Sequence, residues 1–283
     1  KSNIDSWESI PIGIKLVMDN LQKIELQEGI KIKATWFIRT DNEVLAEKGE
    51  RGYILEKYKT IWRDLNEKGH EIGFHPHLYC FKNNNWILET NPLKQATQLK
   101  ESFKDFVSKG YIPQSSKIGD AYCSNQIMNT LEDLGIKFDC SAMPGRKRKD
   151  VQRNIDWSKT PYSYYNPSFE NYQFEGLKNY KLIEIPMTMI ATKADYDNKQ
   201  FQRYFDLSFH NRVFLKGFEK IVKSSKYLLL TSHPSSIITN KNVHGLLSFN
   251  PDNFLLNLNN LLQTCKKNLI EYEFVRVKDL VNY

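Results

Sequence analysis

Two histidines separated by one proline, His75-Pro76-His77, are the residues of this sequence whose types and spacing could do chemistry. They follow the short apolar segment Gly69-His70-Glu71-Ile72-Gly73-Phe74, which reads as a buried strand entered straight from a helix that stops at Gly69. Side chains two residues apart just past a strand end can point the same way. Neutral imidazole suits a divalent transition metal, and zinc catalytic sites use few protein ligands and leave a position for water. Paired histidines in such a loop can equally be hydrogen-bonded and metal-free. Spacing leaves both open, so the surrounding elements matter.

Composition sets the bounds. A chain of 283 residues allows one large domain or two small ones, and we expect a single domain over 1–283. Hydrophobic residues make up 40% and aromatics 13%, enough for a sizeable core. Mean hydropathy is −0.56, and no run approaches a membrane span. Cys80, Cys123, Cys140 and Cys265 show no CxxC pairing and read as free thiols, which favours a reducing cytoplasm while leaving the compartment open. Lys1 is neither an initiator methionine nor part of a signal peptide, so the expectation is a processed chain that can have lost a targeting segment. Net charge is +7. The one dense basic run, Arg146-Lys147-Arg148-Lys149 before Asp150, lacks interleaved aromatics and any reading motif, so no nucleic-acid partner is expected. It is a solvated loop or an attractor for an anionic carbohydrate or a phosphate-bearing carrier.

Hydrophobic periodicity alternates between helix and strand. Ile14, Val17, Leu21 and Ile24 share a helical face closed by Gly29, and Ile30 to Ile38 reads as a strand. Ile54, Tyr58, Ile61 and Leu65 mark the next helix, closed by Gly69 ahead of the His75 strand. Asn91-Pro92 starts a helix with Ala96, Leu99, Phe103 and Phe106 buried, and Ser124 caps another through Ile127, Leu131 and Leu134. Strands are expected around Lys117-Ile118-Gly119, over Lys137 to Met143, Lys181 to Ile190, Tyr227 to Ser232 and Glu271 to Val277. Asn250-Pro251 starts a late helix through Leu255, Leu258 and Leu262. The long stretch 144–180 carries Trp157, Tyr162, Tyr164, Tyr165 and Tyr172, either as a packed surface excursion or as a sugar-stacking wall.

Repeated strand–helix units argue for a parallel sheet covered by helices, as an open sheet or a barrel, with chemistry at the carboxyl ends of strands. By that rule His75 and His77 meet Gly119 and Asp120, Asp139 and Ser141, Glu184, and His233 at the end of Tyr227 to His233.

At these residues the chain resembles the polysaccharide deacetylases, carbohydrate esterases with a distorted (β/α) barrel. Lys68 to His75 matches the family's GHEIG-x-H strand, and Ala34-Thr35-Trp36-Phe37-Ile38 matches the strand before it. Leu134 to Ser141 resembles its middle LG-x-x-x-DSS stretch. Ile183-Glu184-Ile185-Pro186 resembles a strand of a divergent branch linked to surface-polysaccharide loci, and Leu229 to Pro234 resembles its late L-x-x-HP motif. The resemblance implies a (β/α)7-8 barrel that removes acetyl groups from an N-acetylated or O-acetylated sugar with a divalent metal, zinc by ligand type. It implies His75 as a metal ligand and His233 as the general acid, an imidazole suited to protonating a leaving amine.

Departures from the family pattern shape the remaining expectations. The second metal histidine lies four residues after the first, where Tyr79 stands here, and His77 takes its place. The middle-strand arginine is matched by Lys117, which keeps the charge and loses the bidentate fork. Lys117, Asp120, Tyr79 and Trp157 are the expected substrate-binding residues, with an acetylated sugar or glycan as partner. The family's opening strand, ending in two aspartates, has no counterpart: only Lys1 to Ile4 precede Asp5, and Asp19 falls within the first helix and should face solvent. The expectation is a barrel lacking its first strand in this chain, that strand having lain upstream. A catalytically silent carbohydrate-binding barrel and a different metal hydrolase on the same barrel compete with the deacetylase reading.

Overall fold

A computed structural model describes residues 7–149, 154–239 and 245–282. Asp5 and Asp150 lie outside these residues. In chain order the elements are α1 (Ile10–Glu28), β1 (Thr35–Ile38), α2 (Asn42–Lys48), α3 (Tyr53–Lys57), α4 (Lys59–Glu67), β2 (Glu71–Phe74), β3 (Tyr79–Lys82), β4 (Asn85–Leu88), α5 (Pro92–Ser108), β5 (Ser115–Ser116) and α6 (Asn125–Asp133). They continue with β6 (Phe138–Asp139), β7 (Lys147–Lys149), β8 (Asn154–Asp156), β9 (Ile183–Glu184), β10 (Met189–Thr192), β11 (Phe201–Tyr204), α7 (Asn211–Ser224) and α8 (Pro251–Lys267). The chain divides into two compact units, 1–32 with 187–275 and 33–186 with 276–283.

The second of these holds a five-stranded sheet in the order β1-β2-β5-β6-β9, parallel at every pairing. Helices lie in the β1–β2, β2–β5 and β5–β6 connections, and among the described residues none lies between β6 and β9. Asn91 caps α5 by accepting the Leu93 and Lys94 amides, and Ser124 caps α6 through the Ile127 amide. Leu99 and Phe106 of α5 are fully buried, and Phe106 meets Phe74 of β2 edge to face at 5.6 Å. Gly73 is required by packing: a Cβ there would sit 2.7 Å from the Phe37 ring of β1. The fully buried run of β2 is what a strand in such a sheet needs.

Several expectations are corrected. The described strands form an open order of five, so the mixed α/β class holds while the closed (β/α)7-8 barrel is not formed by the described residues. The long apolar runs pair over only part of their length: Ile30 to Ile38 contributes Thr35–Ile38, and Lys137 to Met143 contributes Phe138–Asp139. The strand placed at Lys117 to Gly119 ends at Ser116, and Gly119–Ala121 is a 3-10 turn. Residues 181–190 contribute to β9 and then β10, interrupted by Pro186.

The other unit packs α1, α7 and α8 around Phe205, Phe209, Phe214, Phe218, Leu258 and Leu262. Its β10–β11 hairpin is antiparallel. The Tyr227–Ser232 stretch is extended without forming a ladder: Leu229 exchanges bonds with Thr188, giving its amide to the Thr188 hydroxyl at 2.9 Å and accepting the Thr188 amide at 3.1 Å. The strand expected at Glu271 to Val277 reduces to one bridge, Ile32 with Phe274, before a 3-10 turn, Val277–Asn282. Asp19 is partly exposed on α1 and pairs with Lys15, as its solvent-facing assignment requires. Among the described residues no helix is long and apolar enough to cross a membrane.

Candidate functional site

His75 and His77 sit where the proline and the strand end place them. Pro76 lacks an amide and restricts His75 before it to extended backbone, so β2 runs directly into the loop. The His75 amide still reaches back to the Ile38 carbonyl, at 3.1 Å. The His77 amide donates to Asp41 Oδ2 at 3.2 Å. Asp41 is 1% exposed and also caps α2, accepting the Glu43 and Val44 amides. Arg39 holds the same carboxylate through two bonds of 2.8 and 2.9 Å. One partly buried ion pair at the end of β1 therefore fixes the His77 backbone. Sequence reading passed over it, although Thr40-Asp41 directly after a strand is an N-cap signature.

The two imidazole rings stand 5.0 Å apart, edge to face, and His77 meets the Tyr79 ring at 5.1 Å. His75 Nδ1 is hydrogen-bonded to the Lys117 carbonyl. A bond of this kind from one ring nitrogen is what orients the imidazole of a metal-ligating histidine. The Tyr79 hydroxyl donates to Asp120 Oδ2. Asp120 and Ala121 both adopt left-handed backbone, with φ of 54° and 55°. Such conformations persist where neighbours over-determine them. The Gly119 amide donates to the Pro76 carbonyl at 2.9 Å, and Trp157 Nε1 donates to the Ala121 carbonyl at 2.8 Å. Gly119 lies so close under His77 that a Cβ there would overlap the imidazole Cγ.

The structure thus brings His75, His77, Tyr79, Lys117 and Asp120 together at the carboxyl end of the parallel sheet. Trp157 joins them by its indole N–H alone: its ring is fully buried, so it supports the turn and offers no stacking face. His233 lies in the other unit, exposed, at the start of the 3-10 turn Pro234–Ile237. Within the 144–180 stretch, Tyr162 and Tyr164 are exposed while Tyr165 is buried, and Lys147 and Lys149 of the basic run are exposed on the β7–β8 hairpin.

Beneath the loop lies a buried acid pair. Asp139 of β6 and Glu184 of β9 are register partners, and neither is exposed to solvent. Asp139 accepts the Ser116 hydroxyl at 2.5 Å and the Ser141 amide at 3.2 Å. Glu184 accepts the Ala142 amide at 2.7 Å. Burial, and then Asp139 beside it, pushes the Glu184 carboxyl well above the usual carboxylate range, so it holds its proton. Burial pushes the Lys117 ammonium down, against the attraction of Asp139 and Asp120.

For a metal, two positions fit and a set does not. His75 and His77 have the ring type, yet among the described residues no group of three or more His, Cys, Asp or Glu is arranged to hold an ion.

No family model matches the chain, and no curated protein matches its sequence. Among solved structures it is similar to a Puue allantoinase, with a TM-score of 0.54 and 14% identity over 95% of this chain and 71% of that one. At that identity the likeness is one of fold. It also matches a protein from Mycobacterium smegmatis described as a putative polysaccharide deacetylase, with a TM-score of 0.38 and 13% identity over 66% of this chain. This chain spans 51% of that protein's length.

Proposed function

We propose that this chain is a metal-dependent hydrolase that removes acetyl groups from an N-acetylated or O-acetylated sugar in surface-polysaccharide biosynthesis. The observation that carries the reading is the His75–His77 pair, 5.0 Å apart at the carboxyl end of β2 with His75 Nδ1 turned to a backbone carbonyl. The fold it shares with an allantoinase is compatible with chemistry at strand ends.

The roles are divided as follows. His75 and His77 would hold a divalent metal, zinc by ligand type. Bound there, a divalent metal would supply Lewis acidity to the acyl carbonyl and to a water. Lys117 offers positive charge to the sugar or the acyl oxygen. Tyr79 and Asp120, locked to each other, offer hydrogen bonds to sugar hydroxyls. The family resemblance gives His233 the role of protonating the leaving group.

A second reading, a catalytically silent carbohydrate-binding protein, is favoured by one observation: the described residues supply two metal donors and no third. Acetate release from N-acetylglucosamine oligomers and O-acetylated glycans, with zinc supplied and again after chelation, separates the two. The deacetylase reading expects zinc-dependent release. It also expects a roughly 10²–10⁴-fold fall in kcat for His233→Ala, with bound metal unchanged. No acetate from any glycan with zinc supplied would leave the silent reading.

A further inference from the structure

The connection from β2 to α5 does more than return the chain. It carries the β3–β4 hairpin, which starts at Tyr79. The hairpin turns through Asn83 and Asn84, both left-handed at φ 49° and 59°. That is the conformation a two-residue hairpin turn requires and asparagine tolerates. Its root is fixed on three sides. Gln98 of α5 donates to the Tyr79 carbonyl at 3.0 Å, the Glu89 amide donates to the Leu78 carbonyl at 2.8 Å, and the Tyr79 hydroxyl is held by Asp120.

Strand alternation places Tyr79 and Phe81 on one face. The register sets Leu88 opposite Tyr79 and Trp86 opposite Phe81, so all four share that face. The face begins at the site and ends in solvent. Phe81 is 58% exposed, and its ring meets the half-buried Trp86 ring at 5.3 Å, tilted by 59°. Cross-strand stacking stabilises a hairpin. That accounts for an aromatic pair, but not for its lying on the face that continues outward from Tyr79. A rigid, uncharged aromatic platform adjoining a site of hydroxyl-binding groups suits a ring with an apolar face and a polar rim, which is a pyranose.

We propose that Phe81 and Trp86 form an extension subsite that stacks the next sugar ring of an acetylated oligosaccharide whose reacting unit lies at Tyr79 and Asp120. The proposal rests on the carbohydrate reading of that site and makes this chain selective for oligomers over monosaccharides. Loops at strand carboxyl ends are where such selectivity is built.

Calorimetric titration with N-acetylglucosamine and with its β-1,4-linked tetramer tests it, beside acetate release from both. Wild type should bind the tetramer roughly three- to tenfold more tightly than the monomer, the worth of one ring-stacking contact. Phe81→Ala should bring that ratio close to one, and Phe81→Trp should restore it. Phe81 is exposed, so both variants should melt within about 2 °C of wild type. An unchanged ratio in Phe81→Ala, or no preference for the tetramer in wild type, overturns the subsite. A Phe81-dependent preference without acetate release keeps the subsite and removes the deacetylase reading. Acetate release with a Phe81-independent preference does the reverse.

Discussion

The two ends of the parallel sheet treat buried polar groups in opposite ways. At the amino end Glu71 is 4% exposed and well satisfied: it accepts the Thr35 hydroxyl at 2.8 Å, the Ser115 hydroxyl at 2.7 Å and the Lys278 amide at 3.3 Å. Thr35 in turn accepts the Val277 amide at 2.9 Å. Three strands and the C-terminal turn are tied by one carboxylate with uncharged donors. At the carboxyl end Glu184 stands beside a second carboxyl, Lys117 is desolvated, and two consecutive residues adopt left-handed backbone. Buried polar groups that are satisfied specify structure, whereas perturbed and strained ones mark function. The contrast separates stability from chemistry along a single set of strands.

The largest effect expected is on activity at the carboxyl end. His77→Ala should lower kcat/KM for acetate release by at least about a hundredfold, while the melting temperature stays near wild type, because the ring is half-buried and its amide bond to Asp41 survives. A large loss of stability would erase the contrast. Next comes the amino end. Glu71→Ala strands three donors and should cost roughly 3 kcal/mol of stability by chemical denaturation, with activity per folded molecule retained. At the carboxyl end again, Gly119→Ala should cost about 1–3 kcal/mol because the methyl cannot fit under His77. Histidine ring signals in NMR should shift with it, and unchanged signals would show that the turn does not hold His77.

The last prediction concerns sign. Glu184 has a folded pKa raised above its unfolded value of 4.5, so its favourable contribution is fully present below 4.5 and is lost as pH rises toward the folded value. Glu184→Gln should therefore match wild type near pH 4 and become the more stable protein as pH rises through neutrality. Stability curves that stay parallel across pH would mean that Glu184 is ionised and paired. The same reasoning covers Asp206 in the other unit, which burial pushes up to about 6 against the bonds from Ser232 and Ser208.

Much of this arrangement could be read from residues. Asn91-Pro92, Ser124 and Asn250-Pro251 mark helix starts because a capping side chain and a proline act locally, and each cap bond is formed. Strands were harder, since an apolar run reports burial and not pairing. Tyr227 to Ser232 is extended but meets Thr188 partly through a side chain, and Lys181 to Ile190 serves two elements divided by Pro186. Helix α7 went unmarked although Phe214, Phe218 and Val222 repeat at its buried face. At the site, the histidine pair was visible in its spacing. Asp41 was not, because its importance comes from contacts across 36 residues with the His77 amide. The burial of Trp157 is hidden for a similar reason: composition shows an aromatic-rich stretch but not which ring is enclosed.

The most direct test of the central claim compares acetate release by wild type, His75→Ala and Glu71→Gln at matched folded concentration, with zinc supplied and an acetylated glucosamine tetramer as substrate. The account predicts release by wild type and by Glu71→Gln, and a loss of at least about a hundredfold in His75→Ala. Equal release by His75→Ala and wild type would contradict it, and so would no release by wild type.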